Sequence, residues 1–267
     1  LKFAFPISQF AIFLALVCPL AAAQEVRALW VVRTTLTSPE KIRQLVNSAA
    51  DNGFNTLIVQ IRGRGDAYYK SRVEARAIEL KDQPETFDPL ALTLEEAHKR
   101  GLKVHGWLNT NLLANLDALP VHPDHVYNKH PEWLAVPKPV AAELYNVSPR
   151  DPAYRQKIVE WSKANRGELE GVYTGPANPK VREHIYKIWM DVLKHYPVDG
   201  LHFDYVRFAS PDFDYSRTSL EAFRKWRGAR VTREDVIWKG DALMLRFAFS
   251  DNATARRIVR EMITELE

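Results

Sequence analysis

Two rhythms of apolar and polar positions alternate along the chain. Short, near-continuous apolar runs suit strands covered by helices. Between them lie stretches with apolar residues at helical spacing. Ala28 to Arg33 is predicted as a first strand. Ser38 then supplies an N-cap, with Pro39 at the first helical position, where its missing N–H costs nothing. Ile42, Leu45, Val46, Ala49 and Ala50 form the apolar face of that helix, and Asn52-Gly53 ends it in a left-handed cap. Asn55 to Arg62 is a second strand, Pro89 to Arg100 a second helix stopped at Gly101, and Lys103 to Asn109 a third strand. Asn178-Pro179 opens another helix, whose stripe is Val181, Ile185, Trp189, Val192 and Leu193. Tyr196-Pro197 closes it ahead of a fourth strand, Val198 to Arg207.

Strand–helix alternation of this kind implies a parallel sheet. The fold class expected is α/β: a (β/α)8 TIM-type barrel of which about the first four βα units are present. A closed barrel needs eight strands. After the fourth, Ser219 to Arg227 and Asp241 to Glu267 read as helices, and Arg246 argues against a fifth strand over Leu243 to Phe249. The chain is therefore expected to be the N-terminal part of a longer barrel. The connection from Thr110 to Gly175 far exceeds the roughly 2–6 residues usual in such units. It is expected to be a substrate-shaping insertion at about 110–175, with its own helical pattern from Pro152 to Asn165.

Strand side chains alternate between faces, so parity sorts them. Leu57, Val59 and Ile61 go outward to the helices, leaving Ile58, Gln60 and Arg62 inward. Val104, Gly106 and Leu108 go outward, leaving His105, Trp107 and Asn109 inward. Leu201, Phe203 and Val206 suit the helix side, while His202 and Asp204 share the other. Each inward set thus ends in a polar residue: Arg62, Asn109 and Asp204. Barrel active sites are built from strand C-terminal ends, which makes Asp204 the candidate catalytic carboxylate. The bland alternative is that Asp204 pairs with Arg62 or Arg207 to close the barrel mouth. Trp107 offers a flat platform for a sugar ring, and His202 suits either a sugar hydroxyl or a satisfied core position.

The first residues bear on compartment. Lys2, an apolar run from Phe10 to Val17 and Ala21-Ala22-Ala23 resemble a secretory signal over 1–23. That apolar core is too short to span a bilayer, so no integral membrane segment is expected after cleavage, and a secreted or periplasmic location is. Cys18, the only cysteine, lies inside this segment, which leaves residues 24–267 without a thiol. The net charge of +4 is spread without a basic block, so no nucleic-acid partner is expected.

Four ordered motifs resemble glycosyl-hydrolase-like family 10. They are Arg27 to Val31; Val59 to Arg62 with Gly65-Asp66-Ala67-Tyr68-Tyr69 and Ser71; Gly101 to Asn109; and Val198 to Arg207. The resemblance implies a TIM-type barrel of the bacterial envelope, some of whose members cut peptidoglycan strands stripped of their stem peptides. It also implies a retained acid at Asp204 and rim residues at Arg62, Asp66, Tyr68 and Asn109. Tyr205 and Arg207 follow Asp204 and join Trp107 and His202 as candidate substrate contacts.

Glycoside hydrolysis usually needs two carboxylates. Asp66, Asp212 and Asp214 are candidates for the second, and the expectation is that it lies beyond the chain's four strands. The reading from another class is a non-catalytic glycan-binding barrel, a degenerate hydrolase lacking that second acid. No cofactor or metal is expected: Tyr68 stands where a dinucleotide loop starting at Gly63-Arg64-Gly65 wants glycine, and His122, His125 and His130 are loosely spaced.

Overall fold

The computed structural model describes residues 25–167 and 169–228. The segment 1–23 and the helix expected over Asp241 to Glu267 lie outside the described residues. Among those described are strands β1 (Ala28–Val31), β2 (Thr56–Arg62), β3 (Lys103–Asn109), β4 (Leu112–Ala114), β5 (Val172–Tyr173) and β6 (Gly200–Asp204). The helices are α1 (Pro39–Asp51), α2 (Pro89–Lys99), α3 (Val126–Lys129), α4 (Lys138–Leu144), α5 (Pro152–Ala164), α6 (Pro179–His195) and α7 (Arg217–Gly228).

The fold is mixed α/β around a parallel sheet in the order β1-β2-β3-β6. Each strand after the first joins the growing edge, which is the order a right-handed series of crossovers produces. Four helices start on one device, a short polar cap followed by proline. Ser38 Oγ accepts from Lys41 N, Asp88 Oδ1 from Ala91 N, Asp151 Oδ1 from Ala153 N, and Asn178 Oδ1 from Lys180 N. The caps satisfy N–H groups that the helix itself cannot, and proline removes one more.

Parity holds in β2 and β3. Leu57, Val59, Ile61, Val104 and Leu108 are fully buried. They share a core with Ile42, Val46 and Ala49 of α1, Leu90, Leu94 and Ala97 of α2, and Ile185, Ile188 and Val192 of α6. Burying each such side chain contributes about 1.5–3 kcal/mol. In β6, Phe203 stacks on Trp189 of α6, with ring centroids 4.2 Å apart.

One boundary and one helix position differ from expectation. The fourth long strand ends at Asp204 because Tyr205 adopts φ 52°, a left-handed conformation that breaks the extended run. Val206 therefore leaves the helix-facing series and is exposed. Leu193, placed on the apolar stripe of α6, is also half exposed.

The long connection contains β4, β5 and the helices α3 to α5, with β4 and β5 pairing antiparallel as a second, two-stranded sheet. It packs over the C-terminal ends of the parallel strands: Thr110 N donates to Asp204 O at 2.7 Å, and Thr174 N to Asn111 O at 2.9 Å. No helix among the described residues is long and apolar enough to cross a membrane.

Candidate active site

Asp204 closes β6 opposite Asn109 of β3 and is half-buried. Its two oxygens have separate partners. Trp107 Nε1 donates to Oδ2 at 3.2 Å, and Tyr205 N donates to Oδ1 at 2.7 Å. Tyr205 is held in its left-handed conformation from the other side, where its carbonyl accepts from Asn111 Nδ2 at 3.1 Å and Asn111 N at 3.3 Å. A left-handed non-glycine residue costs roughly 1–2 kcal/mol. Here the strain sits beside the carboxylate whose orientation it fixes.

Beside Asp204 lies an aromatic group on the open face of the sheet. Trp30 meets Trp107 edge-on at 4.9 Å and His202 edge-on at 4.6 Å. Trp30 is 50% exposed, so its indole is available to a flat ligand. Alternation along β1 puts Trp30 on the same face as Trp107 and His202, a signal the sequence carries and the reading of strands two to four leaves unused.

Arg62 does not face an open rim. It is 2% exposed and grips Glu74 with two bonds, Nε to Oε2 at 2.6 Å and Nη2 to Oε1 at 2.7 Å. Its Nη1 donates to the carbonyls of Asn109 and Thr110. His184 of α6 approaches Glu74 Oε1 at 3.2 Å. Burial would raise the Glu74 pKa, but the Arg62 guanidinium and the bonds from His184 and Arg62 outweigh it and bring it to about 2. Tyr68 and Asn109 are likewise enclosed. Asn109 accepts from Gln60 Nε2 at 3.4 Å and donates to Gly63 O at 2.9 Å, so its amide is committed to the scaffold. The physical reason is common to all three: the loop after β2 folds back over the strand ends and covers them.

Asp204 pairs with neither candidate arginine. Arg62 belongs to Glu74, and exposed Arg207 reaches Glu170 Oε2 at 3.2 Å while stacking over the Tyr205 ring at 5.0 Å. Glu170, half exposed, also accepts from Tyr173 Oη at 2.5 Å. Burial, then the charges of Glu170 and Asp204, raise the Tyr205 phenol pKa. Glu170 comes from the long connection, where no strand parity marks it.

Two of the other candidate acids are committed elsewhere. Asp214 accepts from Val136 N, Ser216 N, Ser216 Oγ and Ser219 Oγ, which makes it a tether for the loop before α7. Asp66 accepts from Arg64 N at 2.9 Å and is nearly buried, and that burial raises its pKa. No group of three or more His, Cys, Asp or Glu among the described residues is placed to hold a metal ion. His125 bonds Arg64 O at 2.8 Å, and His130 stacks on Trp133 at 3.8 Å.

Known proteins are similar to this chain. Glycosyl hydrolase YngK of Bacillus subtilis (strain 168) is 28% identical over 200 residues, covering 68% of this chain and 33% of that one. Glycosyl hydrolase DigH of Escherichia coli (strain K12) is 27% identical over 198 residues, 68% of this chain and 37% of that one. The chain thus spans about a third of the length of these curated relatives. Among solved structures, α-L-fucosidase isoenzyme 2 from Paenibacillus thiaminolyticus superposes with a TM-score of 0.49 at 17% identity, over 90% of this chain and 31% of that one. The family profile described as Glycosyl hydrolase-like 10 matches residues 25–163 and 142–244. That match runs through every strand of the parallel sheet, including the one that ends in Asp204, and the chain belongs to glycosyl hydrolase-like family 10.

Proposed function

We propose that this chain carries part of the active site of an exported glycoside hydrolase that cuts a bacterial envelope polysaccharide, the glycan strands of peptidoglycan. In this reading the sheet is the first half of a (β/α)8 barrel, and the signal-like segment over 1–23 directs export to the periplasm or beyond. One observation carries the reading. A carboxylate at the C-terminal end of a parallel strand has each oxygen fixed by an N–H, beside an exposed tryptophan. Acids of barrel hydrolases sit at such strand ends, and sugar rings stack on such indoles.

Hydrolysis needs one group to protonate the leaving oxygen and another to attack the sugar carbon or activate water. Asp204 is one carboxylate. Glu170 is proposed as the second, because it is half exposed and pairs with Arg207, which stacks over the ring of Tyr205 next to Asp204. Trp30 and Trp107 form the sugar platform.

The test is Asp204→Asn in the full-length protein, assayed on glycan strands freed of stem peptides. Turnover is expected to vanish with the circular dichroism spectrum unchanged. Undiminished turnover rejects the assignment. The commitment of Asp66 and Asp214 to scaffold bonds favours one other reading, a non-catalytic glycan-binding barrel. In that case the native full-length protein binds strands without cutting them.

A further inference from the structure

A pocket of about 190 Å³ lies at the C-terminal ends of β1 and β2. The loop after β2 forms one wall, and residues 114–125 of the long connection form the other. At about 30 Å³ per water it holds some six waters, or a carboxylate with its adjoining carbons. Arg33 and Arg64 both line it. Among the described residues, Arg33 Nε and Arg64 Nε and Nη1 are buried with no hydrogen-bond partner.

Two guanidinium groups lining one cavity, each with donors out of water and unpaired, are unfavourable unless an anion offsets them. Their placement is built. Arg33 Nη1 donates to Gln60 Oε1 at 3.3 Å, and Gln60 is held in turn by Asn109. Gly63 lets the Arg33 side chain lie close, since a Cβ there would come within 2.5 Å of Arg33 Cδ. Gly65, at φ 74°, makes room for Leu113 and His125, and His125 bonds Arg64 O.

The charges choose the ligand. Arg33, Arg64 and Arg76 face Asp66 and Glu79 in this pocket. Arg76 spends its donors on the carbonyls of Leu80, Pro84, Glu85 and Phe87. His122 and His125 also line the pocket. Burial lowers the pKa of His125, which therefore stays neutral near pH 7. His122 Nδ1 accepts from Asp124 N at 3.1 Å. Three cations against two carboxylates leave an excess of one, which matches a singly charged carboxylate better than a dianionic phosphate.

We propose that Arg33 and Arg64, which line this cavity together, form a subsite for a carboxylate borne by the glycan. This rests on the reading of the rim as a sugar-cleaving site. It adds that the strand must present a free acid: a muramic residue whose lactyl carboxylate has lost its peptide, or a uronic acid.

The experiment is isothermal titration of the full-length Asp204→Asn protein with four tetrasaccharides. These are a peptide-free muramic strand, the same strand with its carboxylates converted to methylamides, a neutral N-acetylglucosamine oligomer and a glucuronate-containing oligomer. The free-acid muramic strand is expected to bind at least about tenfold more tightly than its amide. Tight binding of the glucuronate oligomer as well would show that any glycan carboxylate suffices; weak binding would restrict the site to the lactyl ether. Adding Arg64→Met or Arg33→Met is expected to erase the preference while leaving affinity for the neutral oligomer within about twofold. Gly63→Ala, which crowds Arg33 without removing a charge, is expected to weaken the preference with the arginines still present. Equal binding of acid and amide, a preference that survives both arginine variants, or no binding of any strand would each overturn the proposal. Continued turnover by Asp204→Asn would instead overturn the catalytic assignment and leave a measured acid preference standing.

Discussion

The indole N–H of Trp107 donates to Asp204 Oδ2 at 3.2 Å, from a strand whose pairing sets Trp107 beside His202. One side chain thus orients the carboxylate and, in the proposed function, builds the sugar platform.

Trp107→Phe separates those roles, because the ring stays and the N–H goes. A hydrogen bond to a charged group contributes about 1.5–3 kcal/mol. Turnover by the full-length protein is expected to fall about 10- to 100-fold, with little change in the thermal midpoint. Unchanged kcat would mean that the backbone N–H of Tyr205 alone holds Asp204.

Glu170→Gln keeps the size and polarity of the side chain and removes its acid–base capacity. Positioned acid–base groups contribute about 10²–10⁴-fold to rate, so a loss of at least about 100-fold on denuded strands is expected. Wild-type turnover would place the second carboxylate elsewhere in the full-length protein.

The buried Arg62–Glu74 pair predicts a stability effect. Removing one partner of such a pair costs about 3–5 kcal/mol, since the other charge stays buried and unpaired. Glu74→Ala is expected to lower the urea midpoint of unfolding accordingly. A shift equivalent to less than about 1 kcal/mol would show that water reaches Arg62.

The same pair predicts a pH dependence. The folded pKa of Glu74 is depressed to about 2, below the roughly 4.3 of an unfolded chain. Its contribution is therefore fully present above about pH 5 and is lost as pH falls toward 2. Acid titrations followed by circular dichroism are expected to show stability falling through that window, less steeply in Glu74→Gln than in the native protein.

The parallel sheet and its helices were legible because local chemistry and periodicity agree. Ser38-Pro39 and Asn178-Pro179 mark helix starts, and the apolar residues of β2 and β3 alternate in step with their burial. Asp204 and Trp107 were legible for the same reason, since strand ends keep their parity. Arg62 misleads because its partners are remote in sequence. Glu74 sits in the following loop and His184 on a helix more than a hundred residues on, so inward reads as open until the fold covers it. Tyr205 carries no sign of its left-handed backbone, which tertiary bonds from Asn111 impose. Glu170, in the long connection, follows no repeating pattern from which a direction can be read.

That connection supplies Glu170, the Tyr173 that bonds it, and one wall of the arginine pocket. Under the proposed roles, recognition and cleavage are therefore not separate modules that could drift apart. Exchanging this segment between relatives would transplant a preference and a piece of chemistry as one heritable unit, grafted onto a sheet that stays the same.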